Sequence, residues 1–497
     1  MKKLFLIAVL VLSLLLSGCQ ADRHRSGKDE TDEKKITVQD HRISGCYADE
    51  YSMDITLDTH NNAVYGTSVV KITNTTDTAL EAICFRLYSA NISRGIIESA
   101  SDEDTGREYT VNTQKDPSVI YLSLDADPIP SGASRFVKLN FRSDIPESDD
   151  RLGCIVDKNG KLYNMTFCFP QLADFRDGKW SETEYADNGE SYCYEMTNYH
   201  VTLTAPADYV VLSSGKSETV NGTTVIEAPN VREMAISACN FAQVKSMESN
   251  GITFNVLTPE YAGFVTRYLE DLYDLILTVA VESAQMYTEK VGAYIYDELD
   301  IIPMAHGGME MPGLIQVALP LTEYEDFSCA YPAATTAHEV GHQWFYCAVS
   351  NDAGREPWLD EGFTSYLENL YWDEFLEDGE VWKAFNDRYT PNYSIMEYVS
   401  GFAYVEEPDL DGYINLPIYE YPEDEYSAVV YGKGSWFLRK LELTMGTDRF
   451  FEMLGAWYEE NLNQVVTGRA FITHVLTYDS SQSVQDVIDE YISEEAL

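Results

Sequence analysis

The sequence predicts a multidomain α+β protein. An N-terminal antiparallel β-body, a saddle or a sandwich, is followed by a second body with a small sheet and then helices. Three observations predict it. Between about residues 47 and 244 short stretches alternate polar and apolar side chains, the period of a half-buried strand. Beyond about residue 261 the apolar residues recur at helical spacing. At 497 residues the chain is longer than one core usually serves, about 150 residues per domain being ordinary.

The opening is an address rather than a folding unit. Met1-Lys2-Lys3 is a short basic start, and Leu4 to Leu16 is apolar apart from Ser13. These thirteen positions fall short of the roughly 20 that span a hydrocarbon core, so the run reads as a secretory signal, residues 1–18. Leu16-Ser17-Gly18-Cys19 resembles a bacterial lipobox, in which Cys19 carries the lipid after cleavage. The alternative is an ordinary signal with an incidental cysteine. Residues 19–44 are expected to be the lipidated cysteine and a flexible tether, because 20–36 are polar, charged and almost free of apolar side chains. The expectation is a soluble body on the extracytoplasmic face of a bacterial cell membrane, attached through the lipid alone.

Residues 45–248 are expected to form the β-body. Ser52-Met53-Asp54-Ile55-Thr56-Leu57, Phe136 to Phe141 and His200 to Thr204 alternate cleanly. Turn residues separate them, among them Asn61-Asn62, Pro130-Ser131-Gly132 and Ser214-Gly215. Residues 249–497 form the second body. Ile252–Leu257 is one more strand, and Tyr261 to about Lys290 reads as a long helix carrying Phe264, Tyr268, Leu269, Leu272, Leu275 and Ile276 on one stripe. Leu299–Met304 and Leu314–Leu319 are strand-like, and helices dominate beyond Tyr331.

Charge removes several function classes. Asp and Glu number 82 against 34 Lys and Arg, a formal net charge of -48. A nucleic-acid binder needs a basic footprint to neutralise phosphates, and none exists here. Adhesion to anionic lipid by basic patches fails for the same reason. Eight cysteines follow Cys19, none in a CxxC pair, so a cysteine-based zinc site is not expected; free thiols and disulfides both stay open.

The chemistry concentrates in one segment. Ala337-His338-Glu339-Val340-Gly341-His342-Gln343-Trp344 contains HExxH. On a helix, positions i and i+4 project from one face, which lets both imidazoles reach one Zn²⁺ with Glu339 beside them. Eighteen residues after His342, Glu361 stands in Trp358-Leu359-Asp360-Glu361-Gly362-Phe363, the start of a second helix. A catalytic zinc takes three protein ligands and keeps one position open, and two histidines with a carboxylate supply that set.

With these motifs the sequence resembles the aminopeptidase N family of gluzincin zinc metallopeptidases. HEVGHQW (338–344) is similar to its zinc helix and WLDEGFTSY (358–366) to the helix bearing the third ligand. Gly307-Gly308-Met309-Glu310-Met311 stands where the family has a Gly-x-Met-Glu-Asn strand, and Tyr431-Gly432-Lys433-Gly434 resembles its Tyr-x-Lys-Gly segment. The resemblance implies a thermolysin-like second domain and one Zn²⁺ per chain held by His338, His342 and Glu361. It implies Glu339 as general base for the attacking water, Tyr431 as donor to the oxyanion, and Glu310 as the group that binds the substrate's α-amine. Gly307, Gly308 and Met309 would line the substrate, and Gln171, after Pro170, would help bind the amine.

Met311 replaces the family's Asn and removes a polar contact. Tyr346 replaces a small residue after HQWF, so packing behind the zinc helix differs. About 135 residues follow Glu361, which implies that the large helical C-terminal domain of many members is lacking. Asp360 is a candidate to orient a ligand, Tyr426 to pack or line the cleft, His306 to play a structural part or else touch substrate, and the acidic loop near Asp409 and Asp411 to face solvent. The reading is a lipid-anchored zinc aminopeptidase acting on peptides with free N-termini. Its rivals are a zinc endopeptidase of the same fold and a non-catalytic peptide-binding lipoprotein. Oligomeric state is not legible.

Overall fold

The computed structural model describes residues 43–124, 127–186, 189–259, 265–320, 330–378, 388, 401–403, 405–422 and 424–497. The expected signal, the lipidation site Cys19, nearly all of the tether, Phe264 and Cys329 lie outside the described residues.

Alternation builds the first body. Strands Cys46–Asp58 and Ala63–Asn74 form a long hairpin, paired from Cys46↔Asn74 to Asp58↔Ala63. Tyr51, Met53, Ile55 and Leu57 turn inward and are buried, while Ser52 and Asp54 are exposed. Asp58 shapes the turn by accepting from the backbone N–H groups of His60 and Asn61, the local bonding that suits aspartate to turns. Among the described residues this hairpin sits inside an eleven-stranded sheet. The neighbours in that sheet are antiparallel except Cys46–Asp58 against Thr197–Thr204, which run parallel from Glu50↔Asn198 to Thr56↔Thr204. Alternation specifies a side chain's face and not its partner's direction, so this pairing was not readable locally. A four-stranded sheet of 210–213, 236–239, 160–165 and 152–157 shares the same core, in which Ile55, Val70 and Leu139 join Tyr163 and Ile236.

The second body opens with a hairpin, Ala242–Ser249 and Ile252–Pro259. It continues the sheet through the parallel strands Glu298–Met304 and Leu314–Ala318. Gly308–Met309 closes one edge, antiparallel to Leu314–Ala318. Sheet membership places the change of body ahead of Ala242, whereas composition suggested residue 248. The outer strand of the hairpin is half exposed and reads locally like the strands before it.

The long helix is Val265–Lys290, its expected first turn lying outside the described residues. Leu269, Leu272, Leu275 and Ile276 are buried against the sheet and the later helices. Those helices are Ala330–Gly341, Glu361–Asp378, Gly434–Met445, Thr447–Glu460, Gly468–Tyr478 and Gln482–Tyr491. This is the α+β arrangement that the sequence predicts. No described helix is long and apolar enough to cross a membrane. The seven described cysteines are free thiols.

Side chains from both bodies fill the seam between them. Tyr88, Phe167, Tyr192 and Tyr194 of the first meet Met309, Met311 and Tyr346 of the second in one buried cluster. Nearby, Asp300 accepts from the Ser213 backbone N–H at 3.1 Å and from the Asn255 amide at 2.8 Å. Burial pushes its carboxyl up from 3.8 to about 8. The folded chain therefore keeps a proton that the unfolded chain has released, and the stability this contributes is present below the ordinary carboxylate range and lost as pH rises through about 8. Between about pH 5 and pH 9 the melting temperature of the wild type is expected to fall relative to that of Asp300→Asn. Calorimetry at fixed ionic strength checks this, and a constant gap contradicts it.

Candidate metal centre

The helix Ala330–Gly341 is buried along Ala330, Ala333, Ala334, Ala337 and Val340. Its proline, Pro332, falls in the first turn, where no intrahelical N–H is required. The helix ends one residue short of His342, whose N–H still donates to the His338 carbonyl at 3.3 Å. The i,i+4 geometry thus survives into the turn. Glu361 opens the next helix behind a 3-10 turn, Pro357–Leu359. Asp360 Oδ1 accepts from the Glu361 N–H at 2.7 Å and so fixes where the carboxylate starts. The two helices approach closely at Gly341, where a Cβ would lie 2.9 Å from Thr364 Cγ2.

Three donor atoms converge. His338 Nε2 is 3.1 Å and His342 Nε2 is 3.2 Å from Glu361 Oε2, and the two nitrogens are 3.2 Å apart. A tetrahedral zinc with ligand bonds of about 2.0–2.1 Å has ligands about 3.3–3.4 Å apart. The triangle therefore fits zinc in size, and its donors, two imidazoles and a carboxylate, fit it in kind. Against the penalty of burial, His342 and His338 hold the Glu361 carboxyl well below the usual carboxylate range.

The outer contacts come from one helix face. Glu368 Oε2 lies 3.2 Å from His338 Nδ1, and Thr364 Oγ1 lies 3.1 Å from His342 Nδ1. Together with Glu361 they stand at i, i+3 and i+7, the spacing of one helical stripe. Sequence reasoning missed Glu368 and Thr364, though that spacing was the available signal. Each orients the imidazole it touches, as outer partners of metal ligands do. Tyr431 lies in a π-helical turn, Ala428–Lys433. Its hydroxyl donates to Glu361 Oε1 at 2.6 Å and its ring stacks on His338 at 5.7 Å. Lys433 anchors that turn by donating to the Leu410 and Gly412 carbonyls.

A second group of carboxylates surrounds the triangle. Glu310, Glu339 and His342 bring ligand atoms within 4.8 Å of one another. Gly308 makes room for Glu339, because a Cβ there would lie 2.0 Å from Glu339 Oε1 and 2.7 Å from Thr335 Cγ2. Gly307 has φ 74° and its N–H donates to the Tyr331 hydroxyl oxygen at 3.1 Å, so the residue before the short edge strand holds a conformation that favours glycine. Glu339 Oε2 is buried with no hydrogen-bond partner among the described residues. Burial, reinforced by neighbouring negative charge, pushes the carboxyls of Glu310, Glu339 and Asp360 up.

Sequence reasoning also missed Glu190. It is buried, it comes from the first body, and its carboxyl is pushed up to about 7 by burial and by the adjacent Glu361. Arg151 Nη1 donates to Glu190 Oε1 at 3.1 Å and Nη2 to the Tyr185 hydroxyl at 3.2 Å, with Met309 Sδ 3.6 Å from Nη1. Nothing local in the sequence signals this residue, since its role depends on a contact between distant segments. Gln171 goes elsewhere. Its amide oxygen accepts from the Tyr199 hydroxyl at 2.7 Å, and it lines a small cavity with Ser44, Cys46, Asp174 and Cys193 that contains none of the metal-centre residues. The Pro-Gln pair suggested proximity to the amine site; the strand Gln171–Leu172 instead pairs with Ala82–Arg86 inside the first body. Met311 is fully buried in the seam cluster. Tyr426 is buried with its hydroxyl unpartnered among the described residues, and His306, Asp409 and Asp411 are exposed.

A two-histidine, one-glutamate zinc site set between a small mixed sheet and helices is the hallmark of a metallopeptidase domain. Residues 277–491 match the peptidase family M1 domain. The aminopeptidase M1-A of Oryza sativa subsp. japonica is 25% identical over 327 residues, 62% of this chain and 34% of that protein. The aminopeptidase N of Lactococcus lactis subsp. lactis is 24% identical over 235 residues, 45% of this chain and 27% of that one. The chain thus spans about a third of the first relative's length. The crystal structure of a mutant M1 zinc metallopeptidase from Deinococcus radiodurans superposes with a TM-score of 0.57 at 15% identity, covering 90% of this chain and 95% of that one. Over residues 277–491 the chain is thus similar to the peptidase family M1 domain, and the relatives that it resembles support the resemblance to the aminopeptidase N family.

Metal content tests the donor set. His338→Ala and Glu361→Gln are expected to lose zinc after gel filtration, as read by elemental mass spectrometry, whereas Glu339→Gln retains it. Glu368→Gln is expected to weaken zinc about 10–100-fold, the usual cost of removing an orienting partner.

Proposed function

We propose that this chain is a zinc aminopeptidase that removes the first residue from peptides with a free N-terminus. The observation that carries the reading is the pair of buried carboxylates, Glu310 and Glu190, standing beside the donor triangle without belonging to it. A substrate ammonium is the natural counter-charge for such a pair, through charge-assisted hydrogen bonds. The relatives from Oryza and Lactococcus carry the name aminopeptidase, which supports the same reading.

When bound, zinc polarises a peptide carbonyl and acidifies a water molecule at neutral pH. The remaining work falls to the chain. Glu339, its free oxygen buried next to the triangle, takes the proton of the attacking water and returns it to the leaving amine. Gly308–Met309 is an edge strand, so a peptide can pair with it as one more strand and present its first carbonyl to the centre. Glu310, next in sequence, and Glu190 then hold the amine and set the cut at one residue from the end. Tyr431 lies against His338 and Glu361, where its hydroxyl donates to an oxyanion; one such donor is worth about 10²–10³ in rate. The protein is proposed to act at the outer face of a bacterial cell membrane, held by a lipid on Cys19, on the strength of the signal and lipobox-like segment.

Peptides in free and N-acetylated forms test this, with products read by mass spectrometry. Stepwise loss from free N-termini alone is expected, reduced about 10²–10⁴-fold in Glu339→Ala. Glu190→Gln is expected to raise KM for free peptides about 10–100-fold, the worth of a hydrogen bond to a charged group. Internal cuts in both forms would make the protein an endopeptidase, and no cleavage of either would leave a peptide-binding protein. Gly308→Ala, which drives a Cβ into Glu339, is expected to lower kcat while zinc content stays at one per chain.

A further inference from the structure

Arg232 belongs to the first body and is 1% exposed. Among the described residues no ion pair holds it. Its guanidinium is satisfied by carbonyls: Nε donates to Tyr346 O at 2.9 Å and Cys347 O at 3.1 Å, Nη1 to Tyr194 O at 2.9 Å, and Nη2 to Gln464 O at 3.0 Å and Ala348 O at 3.4 Å. Burying a guanidinium without a carboxylate is costly, and burial accordingly lowers its pKa. A planar fork with five N–H donors is the side chain that can hold several carbonyls at once.

Three of those carbonyls belong to the turn that leaves the metal helix. Tyr346 adopts φ 107°, a backbone region that a non-glycine residue keeps only when its surroundings hold it there. Glu233, the neighbour of Arg232, takes the Tyr346 hydroxyl. Adjacent residues of the bend between strands Thr223–Val231 and Ile236–Cys239 therefore grip the same turn by its backbone and by its side chain.

The turn passes the constraint on through Cys347. The Cys347 N–H donates to the His342 carbonyl at 2.9 Å, and its thiol sits 3.3 Å from the Glu310 carbonyl. One residue thus touches the backbone of a metal ligand and the backbone of the carboxylate beside it. We infer that Arg232 is a positioning residue for the metal centre: docked from the first body, it sets the turn Tyr346–Ala348, and through Cys347 that turn sets His342 and Glu310. Metal affinity then depends on a contact made entirely outside the ligand set. The inference rests on the reading of His338, His342 and Glu361 as zinc ligands.

The test is zinc affinity of the full chain, stripped of metal and titrated against a chromogenic chelator. Arg232→Lys keeps a positive charge and loses the fork; it is expected to weaken zinc about 10–100-fold, as loss of an outer partner does. Tyr346→Phe removes the Glu233 contact with little risk to folding, and it is expected to weaken zinc about 3–10-fold. Asn164→Ala is the control. It removes another hydrogen bond across the same seam, from the Asn164 amide to the Pro303 carbonyl at 3.3 Å, and is expected to bind zinc within about twofold of wild type. Zinc binding within about twofold of wild type in Tyr346→Phe and in a folded Arg232→Lys overturns the inference. So does an equal weakening in Asn164→Ala, which would make Arg232 ordinary domain glue. A wild type that takes up no zinc would defeat the reading of the site itself, an outcome distinct from tight wild-type binding with unaffected variants.

Discussion

Like charge packed into a dry space is the constraint on which the molecule turns. Glu190, Glu310, Glu339, Asp360 and Glu361 are all buried within one region, and carboxylates so placed cannot all ionise without counter-charge. Arg151 supplies one positive charge. A divalent ion in the His338, His342, Glu361 triangle would supply two more, and under the proposed function a substrate's ammonium would add a further one. Metal, arginine and amine are therefore mutually supporting: each makes it easier for the remaining carboxylates to carry charge. The scaffold serves this arrangement, with two helices and the turn after the first for the ligands, the end of an edge strand for Glu310, and a loop from the other body for Glu190.

What the sequence revealed of this site follows the range over which its geometry is set. His338 and Glu361 lie on two helices and His342 keeps the i+4 position in the turn just after the first, so their spacing is local and their convergence could be read from the chain. Thr364 and Glu368 belong to the same stripe as Glu361, so their spacing marks the face that they share with it, though not which atoms of the two imidazoles they meet. Glu190 and Arg151 come from loops whose position is decided by how the first body docks, and no periodicity reports that. Gln171 shows the converse error, a suggestive dipeptide whose strand pairs inside the first body. The strands themselves were legible from alternation, whereas the parallel pairing at Thr197–Thr204 was not, because direction depends on a distant partner.

The seam between the bodies is thus a working part of the centre. Its aromatic cluster places Met309 and Tyr346, its guanidinium holds the turn after the metal helix, and its glutamate reaches the carboxylate group. The second body holds the three converging donors, and the first body supplies Glu190 and Arg151 beside them.

The parallel pairing of Cys46–Asp58 with Thr197–Thr204 has a kinetic consequence. A strand near the start of the fold cannot find this neighbour until the chain beyond it has been synthesised and released, and contacts between residues so far apart are slow to form. Until then Cys46–Asp58 has only its hairpin partner, and its other edge stands open to pair with whatever it meets, the exposure that makes such intermediates prone to aggregate. Glu190 and Tyr192 lie just before the strand Thr197–Thr204. The first body can thus deliver its carboxylate only once this long-range step is complete, so assembly of the site waits on a pairing between distant segments.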